Sequence, residues 1–330
     1  VHAKGFSPAR PSKDFRGVEM SRQEKVYDVI VVGSGPAGLS AGMNAARAGL
    51  RTLILEADEL GGVAGTSLYE NYPGFPEGIT ALELVKRMKT QASRFDAEIR
   101  YLEEVTELDL KQDLKKVTTS KALYNSLSLV IATGTQRRKL GVPGEAELVG
   151  RGVSYCRVCD GPFFKGLKVA VVGFAKDATT DSLLLSEIAR EVLLITQGER
   201  IKVSKELMKK LSEKANVKAV KGRVTAVLGA QVVKAIKIRL ENNEELTERV
   251  DGVFVSLGRA PATGIVERAG VEMDERGCIK VDRWQRTSIR GVFAAGDCTC
   301  GGMQVATAVG EGAMAAMKAV GHVKQMEEKG

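Results

Sequence analysis

Cys156 and Cys159, with Asp160 directly after them, are the side chains best placed for chemistry, within Ser154-Tyr155-Cys156-Arg157-Val158-Cys159-Asp160-Gly161. Two intervening residues let the thiols close a small ring, so the pair can cycle between dithiol and disulfide. The stretch also fits the start of a helix, where free amides lower the cost of a thiolate. Two other readings of the spacing stand beside this one. Half of a zinc site is the first, but four ligands need a second pair and the chain has only 2 histidines to help. Cysteines with a structural or incidental place are the second.

At 330 residues, 44% of them apolar, the chain is long enough for two domains of ordinary size. Its 36 glycines against 8 prolines fit tight turns and close approaches to a ligand better than linkers. No 18-residue apolar run appears and the first residues lack the apolar block of a signal peptide, so a cytoplasmic protein with no membrane contact is expected. Five cysteines are too few for a secreted disulfide scaffold. The formal charge of +8 is mixed with acids and lacks an aromatic-studded basic patch, which argues against nucleic acid. Much of the excess lies in Lys4, Arg10, Lys13, Arg16, Arg22 and Lys25, and residues 1–25 read as a flexible basic arm.

From Tyr27 to Val32 an apolar run reads as a buried strand, and it empties into Gly33-Ser34-Gly35-Pro36-Ala37-Gly38 and an alanine-rich helix. That order is the dinucleotide signature: Gly33 for the turn, Gly35 for the pyrophosphate, Gly38 for close helix packing. The next strand, Arg51 to Leu55, ends in Glu56, placed to accept from an adenosine ribose. A loop marked by Gly61-Gly62 and by Glu70 to Gly74 follows, then a helix over 79–94 and strand-like stretches at 98–105 and 126–131. Gly141-Val142-Pro143-Gly144 reads as a domain exit.

A second strand, Leu167 to Val172, runs into Gly173-Phe174-Ala175-Lys176-Asp177-Ala178 and a helix to about Arg190, 140 residues after the first glycine turn. The architecture repeats, but Ala175 puts a Cβ where the pyrophosphate would pass, and Asp177 adds negative charge beside it. The following strand, Val192 to Thr196, ends in Gln197-Gly198-Glu199-Arg200, neither an acid for a ribose nor a basic cluster for a 2'-phosphate. Gly173, Ala175 and Ala178 therefore mark a degenerate nicotinamide-nucleotide site.

Val292 to Gly296 is a further apolar strand, ending in Asp297, and Gln304 to Val320 has helical character. Asp297 suits either a ribityl hydroxyl or an ordinary loop. Cys298 and Cys300 read as free thiols, because a one-residue spacer strains a bridge, and Cys278 reads as an incidental strand residue.

Taken in order, GSGPAG at 33–38, ENYPGF at 70–75, ATG at 132–134, GVSYCRVCDG at 152–161, GVFAAGDC at 291–298 and QVATAVGEG at 304–312 resemble the small thioredoxin reductases, two-domain pyridine-nucleotide disulfide oxidoreductases. The resemblance implies an α/β fold of two Rossmann-like three-layer domains, the second inserted into the first. It assigns 26–137 and 264–330 to an FAD domain and 138–263 to an NAD(P)H-binding-like domain carrying the cysteine pair. FAD would be held by Gly33, Ser34, Gly35, Pro36, Ala37, Gly38, Glu56, Asn71, Ala132, Thr133, Gly134, Gly296, Asp297, Gln304, Val305 and Ala306. Cys159 would lie nearer the flavin, Cys156 would attack the partner disulfide, and Asp160 would serve as acid and base. The implied partner is thioredoxin or a glutaredoxin-like protein, and the implied assembly a homodimer. Two departures bear on the electron donor: GFAKDA at 173–178 replaces a full GxGxxA, and TQGERIK at 196–202 replaces the arginine-rich stretch for NADPH. NADPH or NADH, ferredoxin, or reverse flow as a dithiol oxidase remain as donor readings. A redox sensor that retains FAD without turnover is the reading from another functional class.

Overall fold

The structure is a computed structural model that describes residues 26–59 and 68–328. The expected basic arm at 1–25 and the Gly61-Gly62 pair lie outside the described residues. The chain divides into two compact units: one runs to Thr133 and resumes at Thr263, and the other spans Gly134 to Ala262.

The first unit is built on a seven-stranded sheet. Its parallel part places Glu98–Arg100, Thr52–Leu55, Val26–Val32 and Leu123–Ile131 side by side, and Val292–Ala294 adds to the far end of Leu123–Ile131. Val29, Ile30 and Val31 are all fully buried, so an unbroken apolar run is what a strand covered on both faces requires. Helix Pro36–Arg47 begins with proline, whose fixed φ suits a first turn, and buries Ala37, Ala41 and Ala45 in one cluster with Ala308, Ala315 and Ala319 of helix Val305–Glu327. Small side chains on both helices let their backbones approach closely.

The single strand expected at 98–105 is two elements. Glu98–Arg100 ends the parallel sheet, Leu102 turns at φ 53°, and Val105–Asp109 pairs antiparallel with Lys115–Thr119. Buried Glu103 fixes that break, accepting from the hydroxyls of Thr119 and Tyr124. The last helix runs seven residues past the expected Val320, because His322 and Val323 continue its buried face.

The second unit carries a five-stranded parallel sheet in the order Val153–Ser154, Gly252–Val255, Lys168–Val172, Glu191–Ile195, Val217–Val220. Gly222–Leu228, Ala235–Leu240 and Glu245–Arg249 form an antiparallel sheet beside it, and Thr135–Arg137 pairs with Arg259–Pro261. Helix Lys176–Ser186 stops short of Arg190 because the chain there turns back, with Ile188 O and Arg190 N bonded to Gly166 and Leu167.

Candidate redox and flavin sites

Cys156 and Cys159 form a disulfide, with 5.3 Å between their Cα atoms. Cys156 caps the short helix Arg157–Asp160, and its sulfur accepts the amide of Cys159 at 3.2 Å. When the bond is opened, that amide stabilises negative charge on Cys156 rather than on Cys159. Ser154 joins both ends of the turn. Its hydroxyl accepts the Cys156 amide at 3.0 Å and donates to the Asp160 carboxylate at 2.6 Å.

Charged residues the sequence reading passed over surround this turn. Arg157, between the cysteines, pairs with Asp181 of helix Lys176–Ser186 at 2.5 Å, and the other Asp181 oxygen accepts from Ser256. Burial raises the Asp181 carboxyl above the usual carboxylate range, opposed by Ser256 and Arg157. Arg137 is held below the ordinary arginine value by burial and then by Arg259 and Arg157, while Asp181 and Asp160 act the other way. Arg157 and Arg259 both act on Arg137, and positive charge beside the turn favours a thiolate there. The arginines were legible as residues, but only the paired strands Thr135–Arg137 and Arg259–Pro261 bring Arg137 and Arg259 together.

The first glycine turn has the shape of a dinucleotide cradle. Gly33 has φ 103°, and a Cβ there would lie 2.3 Å from Ala132 O. Gly35 precedes helix Pro36–Arg47 with no side-chain cap, so the first-turn amides face a ligand position. The Thr133 hydroxyl, next to this turn, is buried without a hydrogen-bond partner, a polar group that a bound molecule would satisfy. Glu56 is buried and accepts from Ser34 N and Oγ, both at 2.8 Å, and from Asp58 N at 3.1 Å. A carboxylate offers about four acceptor positions, so capacity remains for a ribose. Lys89 lies 4.4 Å from the centre of the Tyr101 ring, and the Glu56 charge acts on both, which marks them as neighbours of that end.

At the other end of the cradle Asn71 donates to Gln304 at 3.1 Å, and Gln304 begins helix Val305–Glu327 without capping it. Asp297 opens the turn Asp297–Thr299. Glu311, a residue not singled out from sequence, accepts the Gly296 amide at 2.7 Å and so fixes that loop. Its carboxyl is raised by burial and by Asp297 and lowered by the Gly296 bond. These features fit a flavin dinucleotide. Gly134 lies between strands Leu123–Ile131 and Thr135–Arg137, and Val305 and Ala306 open helix Val305–Glu327.

A family model described as pyridine nucleotide-disulphide oxidoreductase matches residues 27–312. The thioredoxin reductase of Treponema pallidum is 39% identical over 309 residues, covering 92% of this chain and 99% of that protein. The chain belongs to this family. It is an FAD-dependent disulfide oxidoreductase of the thioredoxin-reductase-like class. Among solved structures, the Lactococcus lactis thioredoxin reductase in its FR conformation matches this oxidoreductase with a TM-score of 0.74 at 33% identity, covering 91% of this chain and 99% of that one. A ferredoxin-flavin thioredoxin reductase from Clostridium acetobutylicum matches with a TM-score of 0.52 at 30% identity, over 92% and 100% of the two chains.

The oxidoreductase differs from expectation at its remaining cysteines. Cys300 is not free and Cys278 is not incidental: they form a second disulfide, with Cα atoms 5.8 Å apart, while the buried Cys298 is in no disulfide and its thiol donates to Ala295 O at 3.3 Å. A one-residue spacer disfavours only a 298–300 bridge, and Cys300 instead meets Cys278, 22 residues upstream. Ile279 N bonds to Cys298 O, which lays the two segments side by side.

Its second glycine turn keeps the close approach, since a Cβ on Gly173 would lie 2.3 Å from Ser256 O and 2.7 Å from the buried Ala178 Cβ. Phe174 O is taken by the amide of Lys202, whose ammonium sits 5.7 Å from the Phe174 ring centre. Exposed Ala175 caps the helix without a side-chain bond, and Gln197, at φ 57°, gives its amide oxygen to Val224 N. Among the described residues no helix is long and apolar enough to cross a membrane, and no cluster of three His, Cys, Asp or Glu side chains is placed to hold a metal.

Proposed function

We propose that this oxidoreductase reduces the disulfide of a thioredoxin-like protein through Cys156, and that its electrons come from a donor other than NADPH. The observation that carries the first half is the Cys159 amide on the Cys156 sulfur. Cys159 is the more exposed of the two, so the attacking role of Cys156 rests on charge stabilisation rather than on access.

FAD, when bound, supplies the electron pair that opens the Cys156–Cys159 bond. The Cys156 thiolate then attacks one sulfur of the partner disulfide, forming a mixed disulfide and releasing the partner's other sulfur as a thiolate. Asp160, oriented by Ser154, protonates that leaving thiolate. Cys159 next attacks the Cys156 sulfur, the partner leaves with two thiols, and the intramolecular disulfide is restored. Arg157 and Arg137 favour the thiolate that starts the exchange.

Cys159→Ser tests the assignment. The variant should accumulate a covalent adduct with a thioredoxin that has one cysteine of its pair replaced by serine and the other carrying thionitrobenzoate as a mixed disulfide, releasing thionitrobenzoate as the leaving thiolate, while Cys156→Ser should yield none and keep FAD. An adduct formed only by the Cys156→Ser variant would reverse the two roles.

The donor reading is supported by the second glycine turn, where Phe174, Ala175 and Gln197 occupy positions that a nicotinamide nucleotide needs open. An anaerobic absorbance titration with NADPH, NADH, a dithiol and a reduced iron-sulfur carrier should bleach the flavin slowly or not at all with micromolar NADPH. Fast bleaching by NADPH would end this reading, and reduction by dithiols followed by return of electrons to oxygen would favour an oxidase. A homodimer in the cytoplasm completes the proposal, with light scattering as the check on assembly.

A further inference from the structure

The glycine turn of the first unit follows the carboxyl end of its strands. A separate cavity of about 420 Å³ lies where residues 286–293 enter strand Val292–Ala294, beside the second half of helix Val305–Glu327. At 1.5 Å per residue, Met317 and His322 of its wall stand roughly 20 to 27 Å along the helix from Gln304. The cavity is therefore distinct from the flavin cradle.

Arg286, Arg290, Lys318 and His322 line it, Val292 and Phe293 belong to its apolar part, and none of its lining residues is acidic. Lys318 is positioned, with its ammonium 4.2 Å from the centre of the Trp284 ring. Arg286 has only a long contact, 3.8 Å, to Asp282. His322 is buried and lies against Gly291, where a Cβ would come within 2.6 Å of Nε2. Burial, Arg290 and Lys115 hold its imidazole below the usual histidine range, opposed by Asp113 and by the backbone of Leu127. Lys115 is itself buried, donating to Leu110 O at 3.0 Å and Gln112 O at 2.6 Å; burial holds its ammonium below the usual lysine range and Arg290 acts the same way, opposed by Asp113 and Asp109. Positive groups that weaken one another's charge around a cavity with no acid in its wall are suited to an anion.

We propose that this cavity binds a phosphate-bearing small molecule, held between Arg286, Arg290 and Lys318 with His322 at its wall. Planar guanidiniums present paired donors that match phosphate oxygens, and a volume near 400 Å³ takes a pyrophosphate or a mononucleotide. A bound phosphate would offset the repulsion among Arg290, Lys115 and a protonated His322.

The chain has 2 histidines, His2 and His322, so histidine NMR on the flavin-loaded full-length protein reads the site directly. Loss of a signal in His322→Gln assigns the resonance. Inorganic pyrophosphate and ADP, added separately at constant ionic strength, should each shift the His322 signal saturably and raise the pH at which it titrates. Equal affinities would place recognition on the phosphates alone, and tighter ADP binding would extend it to the nucleoside; both support the site. Arg290→Gln and, independently, the exposed Arg286→Gln should weaken binding by about tenfold or more, with flavin absorbance unchanged. A His322 signal that stays still, moves equally with chloride, or responds alike in both arginine variants and the parent would overturn the proposal.

Discussion

The two glycine turns share a strand, a tight turn and a helix, yet an acid follows the second strand of the first and a threonine follows that of the other. In the first, Glu56 braces the turn through Ser34 and still has acceptor positions to offer, while the Thr133 hydroxyl is left without a partner. In the second, Thr196 stands at the position of Glu56 with its hydroxyl buried and without a hydrogen-bond partner, the next residue, Gln197, accepts from Val224 N of the neighbouring antiparallel sheet, and Lys202 N takes the Phe174 carbonyl. The shape of a nucleotide fold therefore says less about binding than which groups remain for a ligand.

The comparison is broken most directly at its glycines. Gly33→Ala combines a left-handed backbone with a 2.3 Å contact to Ala132 O and should cost about 3 kcal/mol or more, with purified protein losing its flavin absorbance. Gly173→Ala should destabilise to a similar degree by denaturant titration yet keep the flavin in the protein that remains folded. Removing the second disulfide with Cys278→Ser and Cys300→Ser should lower stability by about 3 kcal/mol through freed loop entropy, read as a lower midpoint in urea. Arg157→Gln leaves Asp181 without its ion pair. Because Arg157 is a third exposed, a loss of about 1 to 2 kcal/mol is expected, along with alkylation of the reduced Cys156 that begins at higher pH.

A smaller effect comes from Glu311. Its carboxyl is raised above the ordinary 4.5, so the favourable contribution is present in acid and is lost as pH rises through the raised value. Glu311→Gln should flatten the fall in melting temperature from about pH 4.5 toward neutrality, since an amide oxygen can still accept from Gly296. The smallest change is expected from Ala175→Gly: NADPH should bleach the flavin within about twofold of the parent rate, because Phe174 and Gln197 stay as they are. A hundredfold gain would show that one Cβ alone separates the two turns.

Local patterns made the two strand-turn-helix units and the cysteine turn readable, because each depends on neighbours within one short segment. Arg137, Arg259 and Asp181 were opaque because strand pairing gathers the two arginines, and helix Lys176–Ser186 brings the acid to Arg157, from segments distant from the cysteine turn. The Cys278–Cys300 bridge escaped for a related reason: spacing shows which cysteines are near in sequence, whereas the pairing of residues 278–279 with 298–300 is a tertiary fact. Leu102 hid a strand break, since a leucine at positive φ leaves no turn signature.

The insertion of one unit into the other has a consequence for how the chain is made. Ser128 and Gly291, joined by a hydrogen bond, lie 163 residues apart, so strand Leu123–Ile131 waits for Val292–Ala294 until most of the chain has been synthesised. The second unit is continuous and can fold in that interval. Meanwhile the carboxyl end of Leu123–Ile131 presents an open, fully apolar edge to other nascent chains. Translation that stalls before Val292 should give a soluble second unit tethered to an aggregating first one, which makes the late strand a folding checkpoint as well as a member of the first unit's sheet.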